Sequence, residues 1–295
     1  MSFAENKMRI LLLGSSGMLG NCIAKEFSEF NLICPGHRLV DVCNLKSLYS
    51  FAQGCRPDLI INASGYTNVD LAEDEKTKCY DTNVNGSRNI AFVAHDMGIN
   101  CVHFSSDYVF SGNKGDKEEY TEEDRKSPLS FYGKTKSYSE AFFHNDLSNQ
   151  LIIRTSWLYS YSSKNFVRTM LKLFEQKDSV KVIDDVFGRT TFCDDLAKYT
   201  KKIAHKKGIY HFANSGVLSW YDFAKEIYKT SKEIGLIKKD VEIIPIKNYQ
   251  YPAKAIRPKS SILSTKKIEF ELGETIEDYR DALSRCLLKI QRKVF

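Results

Sequence analysis

The run Met8-Arg9-Ile10-Leu11-Leu12-Leu13 is mostly apolar and stops at Gly14. Such a run fits a strand buried on both faces of a parallel sheet. Gly14-Ser15-Ser16-Gly17-Met18-Leu19-Gly20 follows at once, a G-x-x-G-x-x-G turn leading into a helix expected over 18–30. A strand-to-helix turn of this kind lets backbone N–H groups approach a pyrophosphate, and the helix start adds partial positive charge. Glycine permits the tight bend and the close approach. At the opening of a βαβ unit, the motif predicts a dinucleotide-binding α/β fold.

The alternation continues. Strands are predicted at 32–34, 59–62, 101–105 and 151–154, with a helix over 85–97. Strands alternating with helices mean βαβ units. Right-handed crossovers then give a doubly wound, Rossmann-like parallel sheet. Residues 112–128 are polar and read as an exposed loop. Beyond 154 the pattern predicts helices over 165–176, 194–205, 220–234 and 275–291, with Ser219 capping the third. Extended segments are predicted at 180–183, 209–213 and 241–246. The expected division is a dinucleotide-binding domain of residues 1–154 plus about 178–215. A smaller, discontinuous C-terminal substrate domain takes about 155–177 plus 216–295.

Composition removes several classes. The chain is 42% hydrophobic and 27% charged, which excludes disorder as the main state. No apolar run is long enough to span a membrane. The opening residues lack the apolar core of a secretion signal, so a cytoplasmic location is expected. The net charge of +6 is diluted by 37 acidic residues, which argues against a nucleic-acid partner and suits attraction of phosphorylated ligands. Cys22, Cys34, Cys43, Cys55, Cys79, Cys101, Cys193 and Cys286 form no C-x-x-C pair, and no His pair has metal-ligand spacing. The cysteines are expected to be reduced and structural, and no metal site is expected.

Three further patterns carry chemistry. In His37-Arg38-Leu39-Val40-Asp41-Val42 no carboxylate directly ends the second strand and Arg38 follows it. An Arg there accommodates a ribose 2′-phosphate, which favours NADPH and leaves NADH as the alternative. Asp41 is better placed beside the adenine or its ribose; the plainer reading of Arg38 is a solvated loop residue. Tyr132 and Lys136, four apart, share a helix face, whereas Lys134 faces away. An ammonium beside a phenol is expected to lower its pKa, so the pair can act as a general acid for a carbonyl taking up hydride. Phe104-Ser105-Ser106-Asp107-Tyr108-Val109-Phe110 ends a central strand, where ligands of open α/β sheets sit. Ser106 can bond a carbonyl oxygen and the tyrosine together; Asp107 can equally be a loop cap.

Together these features resemble the extended short-chain dehydrogenase/reductase superfamily, and within it the dTDP-4-dehydrorhamnose reductase family. The resemblance continues through Ile60-Ile61-Asn62-Ala63-Ser64-Gly65-Tyr66-Thr67, Val69-Asp70, Ala72-Glu73, Asn83 and Arg154-Thr155-Ser156-Trp157-Leu158-Tyr159. Gly208-Ile209-Tyr210-His211-Phe212, Ser219-Trp220 and Arg257-Pro258 extend it over most of the chain. It implies hydride transfer from NADPH to C4 of a nucleotide-linked 4-keto-6-deoxy sugar, dTDP-4-dehydro-L-rhamnose going to dTDP-L-rhamnose, in surface-polysaccharide precursor synthesis. It places the acid at Tyr132, with Lys136 beside it at the nicotinamide ribose. Ser106 stands in for the family's usual threonine. Cofactor contacts are implied at Gly14, Gly17, Met18, Leu19, Gly20, Arg38, Asp41, Val42, Ala63, Ser64, Gly65, Phe104, Tyr132 and Lys136. Sugar-nucleotide contacts are implied at Ser106, Asp107 and Trp157; the plainer reading of Trp157 is interdomain packing.

The chain departs from the family at two places. Asp185-Val186-Phe187-Gly188-Arg189-Thr190-Thr191 stands where the family reads D-Q-x-G-x-P-T. Cys22 occupies the place of a glutamate that serves a metal-bridged dimer in some members, so a homodimer is allowed and a metal-bridged one disfavoured. The alternatives are a sugar-nucleotide epimerase or dehydratase of the same superfamily, and a non-catalytic NADP-binding regulatory subunit.

Overall fold

Along the first strand, β1 (Arg9–Leu13), Ile10 and Leu12 pack into one hydrophobic cluster and Leu11 and Leu13 into another. A strand apolar on both sides has to be covered on both, and this decides the layering. The computed structural model describes residues 7–115, 117–143 and 150–294. Residues 1–6, part of the opening stretch in which no secretion signal is expected, lie outside them.

After β1 the strands are β2 (Asn31–Ile33), β3 (Leu59–Asn62), β4 (Asn100–Ser106), β5 (Gln150–Thr155), β6 (Leu158–Tyr159), β7 (Ser179–Ile183), β8 (Phe187–Gly188), β9 (Thr191–Phe192), β10 (Gly208–Phe212), β11 (Leu218–Ser219) and β12 (Glu242–Ile246). The first five helices are α1 (Met18–Glu26), α2 (Leu45–Cys55), α3 (Lys76–Tyr80), α4 (Gly86–Asp96) and α5 (Phe131–Glu140). The remainder are α6 (Phe166–Gln176), α7 (Cys193–Ile203), α8 (Trp220–Glu233), α9 (Lys266–Leu272) and α10 (Tyr279–Val294).

Six strands form one parallel sheet in the order β10-β5-β4-β3-β1-β2. One face is packed by α1 and α7, the other by α2 and α4. The chain goes to one side of β1 for β2 and to the other for β3, so the winding reverses there. Open α/β sheets bind ligands in the crevice beyond the strand ends at such a reversal. The expected doubly wound α/β fold is the one found.

A second core gathers α6, α8 and α10 with β7 and β12. The strand β7 pairs in parallel with β12, Val180 opposite Ile243. Residues 179–183 therefore pack with the second core, whereas the division read from the sequence begins the return to the sheet at about 178. The partner strand lies about 60 residues downstream, which no local pattern reveals.

Two other expectations are corrected. The loop 112–128 is stapled rather than simply exposed. Tyr120 is buried, its N–H donates to the Ile262 carbonyl at 2.7 Å, and its own carbonyl accepts from Ser264 at 2.8 Å. The loop's charges are paired, Lys114 with Asp124 at 2.7 Å and Glu119 with Arg189 at 2.5 Å. The last helix starts at Tyr279 and not near 275, because the preceding backbone is bonded elsewhere: Ser215 N–H donates to the Glu277 carbonyl. Among the described residues no helix is long and apolar enough to cross a membrane. All eight cysteines are free thiols; Cys34 and Cys43 are exposed, and Cys22 is buried on α1.

Candidate functional site

The glycine turn lies at the winding reversal. Gly14 has φ +78°, and a Cβ on it would meet the Ala63 carbonyl carbon at 2.6 Å. A Cβ on Gly20 would stand 2.1 Å from the Gly14 carbonyl oxygen. The turn is thus bare backbone pressed against the loop that follows β3, with Gly17 at the N-terminal boundary of α1. These are the features a pyrophosphate cradle needs.

Beyond the ends of β1, β3 and β4 lies a cavity of about 440 Å³. Met18, Leu19, Ala63, Ser64, Phe104, Ser106, Asp107, Tyr132, Lys136 and Trp157 line it together. Gly14, Gly17 and Gly65 are loop residues and Gly20 lies in the first turn of α1; none of the four is in the cavity lining. Arg38 sits on an exposed turn after the edge strand β2, outside the cavity lining. Asp41 accepts from the Cys43 N–H at 2.9 Å, and Val42 is buried against Gly86.

At the end of β4, Ser106 caps a short 3-10 turn, Asp107–Val109, by accepting from Tyr108 N–H at 3.2 Å. Its hydroxyl donates to Asp107 Oδ1 at 3.0 Å. Ser261, from the C-terminal part of the chain, donates to the other oxygen at 2.5 Å. Burial pushes the Asp107 carboxyl up to about 6, against the pull of these two hydroxyls.

Helix α5 starts at Ser130, which caps it by accepting from Gly133 N–H at 3.1 Å. The four-residue spacing puts Tyr132, Lys136 and Glu140 on one face. The Lys136 ammonium donates to the Phe104 carbonyl at 2.6 Å. Burial lowers it to about 8, opposed by the Glu140 carboxylate. Tyr132 departs from expectation. Burial raises the phenol above its ordinary value, with the Ser106 hydroxyl opposing and Asp107 adding. Desolvation disfavours phenolate and ammonium alike, so the neighbouring lysine does not bring the phenol down.

Sequence reasoning missed the support beneath these groups. Glu140 is fully buried and takes a bidentate bond from Arg154 on β5, Nε and Nη2 each at 2.9 Å. Burial alone would raise this carboxyl; Arg154 and Lys126 hold it down at about 2. His103 is buried on β4, its Nδ1 3.0 Å from Asn62 Nδ2 and its Nε2 3.0 Å from Ser139 Oγ. Asn62 Oδ1 accepts from Ser64 N–H at 3.1 Å, so its amide nitrogen faces the imidazole, and His103 carries its proton on Nε2. Ser139 in turn donates to the Lys136 carbonyl at 2.8 Å. Asn83 clamps Tyr66 at both backbone atoms, 2.8 and 3.1 Å, and donates to Thr135 Oγ1 at 3.0 Å. The signal for Glu140 in the sequence is its four-residue spacing from Lys136; Arg154 and Asn83 belong to the family-like segments, which attach no role to them.

Trp157 has φ +44°, a left-handed conformation costing about 1–3 kcal/mol. Its indole lies on Gly188 and stacks on Trp220, centroids 3.6 Å apart and planes 9° from parallel. Gly188 is retained from the departing motif 185–191. Val186 there is buried, and Arg189 donates to Glu119 at 2.5 Å and to Thr265 at 3.0 Å, anchoring the loop.

The family described as RmlD substrate binding domain matches residues 8–292. The spore coat polysaccharide biosynthesis protein SpsK of Bacillus subtilis is 35% identical over 282 residues, covering 95% of this chain and 96% of that protein. The dTDP-4-dehydrorhamnose reductase of Aggregatibacter actinomycetemcomitans is 34% identical over 290 residues, covering 93% and 97%. The crystal structure of the Bacillus anthracis dTDP-4-dehydrorhamnose reductase in complex with NADP superposes with a TM-score of 0.89 at 31% identity, covering 96% and 99%. With this family match over nearly its whole length and a cavity built at the winding reversal, the chain belongs to the dTDP-4-dehydrorhamnose reductase family.

Proposed function

We propose that the chain reduces the C4 keto group of dTDP-4-dehydro-L-rhamnose to give dTDP-L-rhamnose, with NADPH as reductant, in the synthesis of surface-polysaccharide precursors. One arrangement supports this: Ser106, Tyr132 and Lys136 face a single cavity that also carries Met18 and Leu19 of the glycine turn. The bare backbone at Gly14 and Gly20 fits a dinucleotide pyrophosphate. The six-stranded unit is assigned to the dinucleotide and the second core to the sugar nucleotide.

When bound, NADPH supplies the hydride. The glycine turn, with Met18 and Leu19, would hold its pyrophosphate; Ala63, Ser64 and Gly65 would back it, and Arg38, Asp41 and Val42 would take the adenosine end. Ser106 would orient the ketone oxygen alongside the Tyr132 phenol. The raised phenol keeps its proton until the C4 oxygen gains charge. An alkoxide is a far stronger base than a phenolate, so the transfer still runs downhill. The Lys136 ammonium, anchored at the Phe104 carbonyl, would hold the nicotinamide ribose beside the phenol. Asp107 and Trp157 would meet the sugar.

The test is purified protein, NADPH and a panel of 4-keto-6-deoxy sugar nucleotides, following loss of reduced-nicotinamide absorbance. Tyr132→Phe is expected to lower turnover about 10²- to 10⁴-fold with NADPH affinity retained. Sugar isomerisation without net NADPH consumption would assign the site to an epimerase instead.

A further inference from the structure

We propose that Lys164 is a diphosphate-binding cation of this cavity, contacting a diphosphate that one of the two reaction partners carries. The inference rests on the reductase reading for the presence of those partners. The charged side chains lining the cavity are Asp107, Lys136 and Lys164. Asp107 repels an anion, and the Lys136 ammonium is already held by the Phe104 carbonyl. The Lys164 ammonium forms no hydrogen bond or ion pair among the described residues, and the side chain is exposed.

Its backbone, by contrast, is fixed. Asn165 caps α6 by accepting from Arg168 N–H at 3.2 Å, and its amide nitrogen donates to the carbonyls of Ser160 and Ser163, each at 2.7 Å. The same nitrogen touches Met18 Sδ at 3.8 Å, and the Tyr161 hydroxyl bonds the Lys25 ammonium. The segment 160–165 is thereby tied at two points to α1, the helix that opens from the glycine turn. A flexible stem on a fixed arm delivers a compact, mobile positive charge to the cavity that both partners must enter. A dianionic diphosphate needs such a countercharge.

The chain's two tryptophans, Trp157 and Trp220, both line the cavity and give a built-in fluorescence reporter. The test titrates thymidine diphosphate and NADPH separately into the wild type, Lys164→Ala, Lys164→Arg and Lys164→Glu, with thermal midpoints to check folding. Charge-assisted bonds of this kind predict about 10- to 100-fold weaker binding for Lys164→Ala, a greater loss for Lys164→Glu and recovery to within a few-fold for Lys164→Arg. Loss in the thymidine diphosphate arm assigns the contact to the sugar nucleotide; loss in the NADPH arm assigns it to the cofactor. Both ligands keeping wild-type affinity in the Ala and Glu variants overturns the inference, as does a wild type that binds neither. If binding falls as expected but no 4-keto sugar nucleotide is turned over, the reductase reading fails and the diphosphate contact stands.

Discussion

The Lys136 ammonium is fastened 2.6 Å from the carbonyl oxygen of Phe104, so the helix carrying the tyrosine and the strand carrying the serine are locked together at one point. Burial brings this ammonium down to about 8. Because kcat/KM reports ionisations of the free enzyme, it is expected to fall as pH rises through about 8, where Lys136 loses its charge. Lys136→Met should lower kcat/KM by about 10²-fold or more and remove that basic limb from the residual activity. A wild-type profile flat to pH 10 would remove Lys136 from the mechanism.

In the proposed function Arg38, exposed on the turn after β2, meets the ribose 2′-phosphate. Arg38→Ala is expected to weaken NADPH binding about 10-fold, the scale of one charge-assisted contact, and to leave NADH unchanged. The measurement is a pair of titrations, one per dinucleotide. Equal weakening of both would show that Arg38 does not meet the 2′-phosphate.

The strands of the sheet and the glycine turn were legible because their apolar runs and glycine spacing are local. So was the convergence of Ser106, Tyr132 and Lys136 on one cavity, since strand ends and a four-residue helical spacing place them. The direction of the Tyr132 pKa was not, because it depends on burial, which the tertiary fold sets. The Glu140–Arg154 pair joins two elements, and β7 with β12 joins two distant segments; neither has a local signal. The loop 112–128 looked exposed because its charges find partners, such as Arg189, far along the chain.

Glu140 and Arg154 are both buried and joined by two bonds of 2.9 Å. Removing one charge strands the other, and Glu140→Gln is expected to cost about 3–5 kcal/mol. The carboxyl is held at about 2, below its usual 4.5. Its stabilising contribution is therefore complete above that usual value and is lost as pH falls from there toward 2. Denaturant midpoints across this window should drop in the wild type more than in Glu140→Gln. The variant should also move the basic limb of kcat/KM to lower pH, since Glu140 supports the Lys136 charge. A variant as stable as the wild type would mean that Arg154 finds another anion.

Asp107 has the opposite sign. The residue is 2% exposed, and burial pushes its carboxyl up to about 6 from 3.8. Between those values the folded chain holds a proton that the unfolded chain has released, so this group makes stability fall as pH rises from about 4 to about 6. Asparagine keeps the shape, can accept from one serine and donate to the other, and carries no charge to desolvate. Asp107→Asn is thus expected to stabilise the fold at pH 7 by up to about 3 kcal/mol, with almost no difference near pH 3.5. Turnover of the sugar nucleotide should fall in the same variant, the trade expected where a strained charge serves a site. Urea midpoints at the two pH values decide the matter: a gain of equal size at both, or a loss at pH 7, would show that the buried charge is not the source of the penalty.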